Sequence, residues 1–271
     1  MLGKLLRLEF RATFRPFLIL YGAVFLLMLL ELFSFHIRQM VAGVLFMLAL
    51  ALLSVVLLVL TIVLVARRFS NNLFSGEGYL MFALPVCPWK ILLSKFIPAI
   101  LWVSVSMILF LLGQFSALLA MDAQAIAEAG KAIDEAYAEL GLPPLHVFFS
   151  LMPLMMLSYF ISIVFFIALL YFSITLANTG TFQRHSGIWA ALLFLGMYIG
   201  YCALEIFISF LVPWGIQMDQ NGWYMVAEGT AFGIGEPVFR MGLASFPVSM
   251  TAIVLLFWLT TRLMKHHLSL K

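Results

Sequence analysis

Polar side chains inside apolar sequence are where chemistry could sit, because a bilayer makes each of them costly. Glu205 lies well inside one such stretch, about seven residues from its outer end. A charge at the centre of a membrane helix costs about 2.5–3.5 kcal/mol on insertion scales. An acid there faces protein or a water-filled cavity. It could line a substrate path or relay protons, or it could be protonated and hydrogen-bonded within a bundle. Glu31, Gln114, Asn178 and the hydroxyls of Ser104, Ser106, Ser158, Ser162 and Thr175 also fall within apolar stretches. They suit a cavity wall and suit interhelical hydrogen bonds equally well. Gly196 and Gly200 form a GxxxG pair, which permits close helix approach either inside one chain or between two.

Reactive constellations are missing from the sequence. Gly3-Lys4 lacks the preceding glycine and spacer that a phosphate cradle needs, so ATP hydrolysis by that route is excluded. There is no HExxH pair for zinc and no GxSxG nucleophile turn. His36, His146, His185, His266 and His267 are scattered over both faces of the predicted topology, and the last two, being adjacent, point different ways on a helix. Cys87 falls in a polar loop and Cys202 in an apolar stretch, which argues against a disulfide or a zinc site. No catalytic residue, metal or cofactor on this chain is expected, and an intramembrane enzyme is a weak reading.

The elements that carry these residues follow from composition. The chain is 65% hydrophobic and 10% charged, with a mean hydropathy of +1.13. A soluble domain has roughly 45–50% apolar and about 25% charged residues. Lipid must therefore solvate the outer faces, and the expectation is an all-α integral membrane protein in one transmembrane domain, residues 1–271. A span needs about 20 apolar residues. Stretches 17–35, 40–66, 96–120, 147–177, 188–212 and 243–263 qualify. The first is too long for a signal-peptide core and reads as a retained span. Pro153 suggests that the fourth begins at the interface before a kink. The formal charge of +3 is too small to imply a nucleic-acid partner.

Lysine and arginine bias sets the orientation. Twelve fall on one face (Lys4, Arg7, Arg11, Arg15, Arg67, Arg68, Lys90, Lys95, Arg184, Arg262, Lys265 and Lys271) against Arg38, Lys131 and Arg240 on the other. The first face is read as cytoplasmic, with both termini there. Lys4, Arg7, Arg11 and Arg15 recur at steps of three and four, opposite Leu2, Leu5, Leu6 and Phe10, so residues 1–16 read as an amphipathic interfacial helix or as a basic flank that fixes topology. Glu9 among the apolar positions is odd for lipid contact. In the cytoplasmic loop 67–95, Asn71, Asn72, Gly76 and Gly78 are expected to break helical continuity. Its apolar run Tyr79–Leu84 either packs under the bundle or docks on a partner. Of the outer segments, 121–146 contains a helix over 122–140. The other, 213–242, is expected to form short, broken or re-entrant helices, given its glycines and Pro237.

The N-terminal LGKLLRLEFRATFRPFLILY and the stretch GEGYLMFALPVCPWKILLSKFIPAILW, residues 76–102, resemble the permease subunits of ABC type-2 exporters of Gram-positive bacteria. The likeness covers about the first hundred residues; beyond them only the six-span layout matches. The resemblance implies an ABC type-2 exporter-like bundle in a bacterial plasma membrane, with the N-terminal helix along the cytoplasmic interface. It also implies a segment after the second span that docks on a separate ATPase. By position that segment is Glu77, Gly78, Tyr79, Leu80, Met81 and Phe82, flanked by Arg68 and Lys90. The working unit implied is two permeases and two ATPases, which bind ATP and Mg. A hydrophobic or amphipathic peptide, lipid or drug would pass between the permeases. The alternative is a membrane scaffold or immunity-type binding protein of the same fold without an ATPase.

Overall fold

The computed structural model describes residues 2–74, 87–116, 118, 123–140, 142–179, 185–212, 214–219, 222–226 and 239–266. Eight helices and three strands follow in chain order among them. They are α1 Leu2–His36, α2 Met40–Phe74, α3 Pro88–Phe115, α4 Ala123–Glu139, α5 Leu145–Ser150, α6 Met152–Ala177 and α7 Ser186–Leu211, then β1 Gly215–Asp219, β2 Gly222–Val226 and β3 Phe239–Gly242, and finally α8 Ser245–His266. Six helices (α1, α2, α3, α6, α7 and α8) are long and apolar enough to cross a bilayer. The chain is a multi-pass helical membrane protein. Packing divides it into two compact units, residues 1–121, 170–191 and 257–271, and residues 122–169 and 192–256.

In the first unit α1, α2 and α3 pack on one another. Helices α1 and α2 are each 35 residues long. At 1.5 Å per residue each exceeds a hydrocarbon layer of roughly 30 Å by about 20 Å. The excess lies at the charged end, in residues 2–16 of α1 and the last turns of α2. Two expectations are corrected here. The N-terminal segment is helical but not a separate helix: it continues into the first span through Pro16. Helix α2 is not broken at Asn71 and Asn72; it runs to Phe74. Both extensions present an inner face to neighbouring helices, and that packing outweighs the helix-breaking cost of Pro16 and the poor helix propensity of the asparagine pair.

On α1 the buried positions Glu9, Thr13, Phe17, Val24 and Glu31 keep to one helical stripe. Val24 packs with Leu50 and Leu57 of α2 in an apolar cluster that also draws in Leu109. At the far end, Arg38 adopts φ 56° and its N–H and that of Gln39 return to the Phe35 and Ser34 carbonyls, a Schellman closure of α1. The turn brings Gly43 under Phe35, where an added Cβ would lie 2.8 Å from the ring.

In the second unit α4 is the helix expected over 122–140, but its apolar positions Ile126 and Ile133 and the following Leu140 stay exposed. Tyr137 meets Phe148 edge-on at 5.9 Å, and Asp134 accepts the Leu145 N–H at 2.8 Å, tying α4 to the start of α5. The helix breaks at Leu151 between α5 and α6, just before Pro153, the residue expected to interrupt it. Segment 213–242 departs from its expectation: its described residues form an antiparallel sheet of order β2-β1-β3 rather than broken helices. Ile216 and Met218 alternate with Gln217 and are buried against Val147 and Leu151. That period of two suits a half-buried strand and no helix.

Candidate functional site

Glu9 stands one helical turn before Thr13 on the inner stripe of α1, ahead of the apolar stretch that starts at Phe17. One carboxylate oxygen accepts from Lys95 Nζ of α3 at 2.6 Å, and the other from Arg68 Nε of α2 at 2.8 Å. Asn72 Nδ2 donates to Glu9 at 3.4 Å. The Lys95 and Glu9 side chains are 3% and 8% exposed, whereas Arg68 is 31% exposed. Burial raises the Glu9 carboxyl, but the charges and hydrogen bonds of Lys95 and then Arg68 outweigh it, so the group sits below its ordinary value. Three helices are thus joined through one carboxylate.

The network continues toward the membrane. Thr13 Oγ1 donates to the Glu9 carbonyl at 2.8 Å and accepts from Trp102 Nε1 at 2.9 Å. Trp102 stacks on Phe17 at 4.6 Å and 8°. Tyr21 donates to the Trp102 carbonyl, and Ser106 bridges Tyr21 and Thr61 at 2.9 and 2.8 Å. On the other side Tyr171 of α6 stacks on Phe69 at 3.8 Å and donates to the Lys95 carbonyl at 3.2 Å.

Glu9, Thr13, Phe17, Phe69, Trp102 and Tyr171 line a cavity of about 220 Å³. Its room comes from small or chain-interrupting residues, Ala12 and Pro16 on α1 and Pro98 and Ala99 on α3. Arg67, Arg68 and Lys95 set three cations against the single Glu9 carboxylate in its lining, beside the amides of Asn71 and Asn72. Pockets for drug-sized ligands measure roughly 300–1,000 Å³. This space therefore suits a small group or the head of a larger molecule, and its charge excess suits an anion.

The residues singled out in the sequence are distributed unevenly. Arg68 enters the cluster, while Lys90 lies over the Trp89 ring at 5.4 Å. Lys4, Arg7, Arg11 and Arg15 are exposed, as a basic face requires, but the stripe inside it is Glu9–Thr13–Phe17 rather than a leucine face. Glu77, Gly78, Tyr79, Leu80, Met81 and Phe82 lie outside the described residues. Glu205 is half-buried on α7, its carboxyl paired with the Tyr201 hydroxyl, which also meets Ser249 Oγ at 2.7 Å. Gln114 donates to Ser54 at 2.8 Å, an interhelical bond. Glu31, fully buried, accepts from Ser116 with one oxygen, and among the described residues the other has no partner. Gly196 and Gly200 are exposed, and a side chain added at either would start with no atom within 4 Å of its Cβ. They do not serve packing among the described residues.

Sequence patterns do not display the cluster as a unit. Glu9 stands out there as misplaced, Lys95 carries only a topological signal, and Arg68 enters otherwise only as a flank of the docking segment that the resemblance implies. The usable signal is the four-residue step from Glu9 to Thr13 and Phe17, a polar start to a buried stripe. Among the described residues no group of three His, Cys, Asp or Glu side chains could hold a metal ion. No family model matches the chain, and neither does any curated protein or solved structure.

Proposed function

We propose that this chain is the membrane-spanning permease subunit of an ATP-driven exporter of the ABC type-2 kind, working as a dimer with separate ATPase subunits. One observation carries most weight beside the sequence resemblance. The helices that bracket residues 75–87 are joined through Glu9 close to that segment, at Arg68 and Asn72 near the end of α2 and at Lys95 near the start of α3. A push on the segment by a partner would reach α1, α2 and α3 together instead of bending one loop. ATP binding would close the ATPase pair, the segments Glu77–Phe82 would transmit the motion, and the two permeases would move an amphipathic peptide, lipid or drug outward.

Affinity purification from native membranes tests the reading. A nucleotide-binding ATPase should co-purify in equal amount with the permease, and its hydrolysis should depend on the permease. Recovery of the chain without any ATPase would favour the alternative, a membrane scaffold or immunity-type binding protein.

A further inference from the structure

We propose that the cavity between α1, α2 and α3 binds the phosphate of an anionic phospholipid, one molecule per chain. The inference concerns this cavity alone and holds whether or not an ATPase partner exists.

Charge selects the occupant's sign. Glu9 already receives Lys95 Nζ and Arg68 Nε, so a cationic guest would meet a carboxylate that is doubly paired. An anion would meet an excess of guanidinium. Arg68 uses Nε on Glu9, which leaves the terminal amino groups of its planar fork for a second acceptor, and Arg67 lines the same cavity. A guanidinium fork matches phosphate geometry, and a buried carboxylate behind it fixes its orientation.

Volume and walls select a lipid over a free ion. The polar end of the cavity carries Arg67, Arg68 and Asn72, and the remaining lining includes Pro16, Phe17, Val65 and Trp102. Phe17 opens the apolar stretch of α1, so the cavity sits where headgroup meets hydrocarbon. About 220 Å³ admits a headgroup but not a whole lipid, whose chains would lie outside against exposed positions such as Phe14 and Leu18. Arg7, Arg11 and Arg15 on the outer face of α1 would concentrate anionic lipid nearby.

The test uses the full chain in neutral detergent, read by native mass spectrometry and by thermal unfolding. Phosphatidylglycerol should remain bound at one molecule per chain and raise the unfolding temperature. Phosphatidylcholine, whose phosphate is neutralised by choline, and inorganic phosphate should do neither. Arg67→Gln, an exposed residue whose loss should leave the fold intact, should weaken phosphatidylglycerol binding about tenfold, the size of one charge-assisted hydrogen bond. Arg68→Lys, which keeps the charge and can still pair with Glu9, should weaken it by a similar factor because the fork is lost. Arg38→Gln, outside the cavity, should leave binding unchanged. Equal binding by wild type, Arg67→Gln and Arg68→Lys would overturn the site. Equal protection by inorganic phosphate would overturn the lipid as its source.

Discussion

Glu9 serves two cations, so removing it is not equivalent to removing either of them. Breaking one member from a buried ion pair costs about 3–5 kcal/mol, whereas replacing the whole pair with apolar groups is often neutral. Glu9→Gln should therefore lower the unfolding temperature of the purified protein sharply. Adding Lys95→Met to it should restore at least half of the loss; a double variant no better than the single would show that the pair is not the source of the stability. Glu205 is a contrasting acid, half-buried and held by a tyrosine hydroxyl. Glu205→Gln keeps an acceptor for Tyr201, so folding should change by less than about 1 kcal/mol. If transport is also unchanged, Glu205 has no part in the path. These two acids show how far residue type alone is legible. A carboxylate inside apolar sequence draws attention at once, yet which cation it meets across 59 or 86 residues of chain depends on helix packing that no local pattern encodes.

At the scale of elements the spans are the most legible part, because lipid imposes one requirement, a run of about 20 apolar residues, that sequence displays directly. Their ends are less so. Residues 2–16 read as a helix of their own and the Arg67–Phe74 turns as loop, but both continue the neighbouring span as unbroken helix, since each buries a stripe against its neighbours. The sheet escapes a sequence reading for a different reason. Glycines in 213–242 look like helix breakers, while the alternation Ile216, Gln217, Met218 and the Asn221-Gly222 pair are hairpin signals. Helix α7 carries a separate prediction. It has no buried residue, and nothing approaches Gly196 or Gly200. Gly196→Leu should leave monomer folding and yield intact; any loss should fall on association between copies, read by cross-linking with and without the substitution. A drop in the stability of the isolated monomer would show that the Gly196–Gly200 face of α7 packs within the chain. Gly43 is the opposite case, because Phe35 occupies the space a side chain would need. Gly43→Leu should destabilise by about 1–3 kcal/mol, as overpacking does, and chemical unfolding would register it.

For the whole molecule the claim is that force applied to residues 75–87 from the cytoplasm moves the helices joined by Glu9. Orientation is the first requirement, and Cys87, which is exposed, offers a native probe. In a Cys202→Ser background an impermeant maleimide should fail to label Cys87 in intact cells but label it after lysis, while an introduced Glu135→Cys on α4 should react in intact cells. The more direct measurement is association with the ATPase. Residues 79–84 form an apolar run bounded by Gly78 and Pro85. Such surface is unfavourable in water by about 25 cal/mol per Å² and would be covered by a docked subunit. Truncating an aromatic anchor in a contact of that kind often costs about 2 kcal/mol or more. Tyr79→Ala and Phe82→Ala should therefore insert normally yet lose the co-purifying ATPase and its permease-dependent ATP hydrolysis. Glu77→Lys should do the same by reversing a charge, and Glu128→Ala on α4 should change nothing. Tyr79 and Phe82 variants that insert normally and hold the ATPase with unaltered affinity would contradict the coupling role of this segment, and with it the proposal that this chain is an ATP-driven permease.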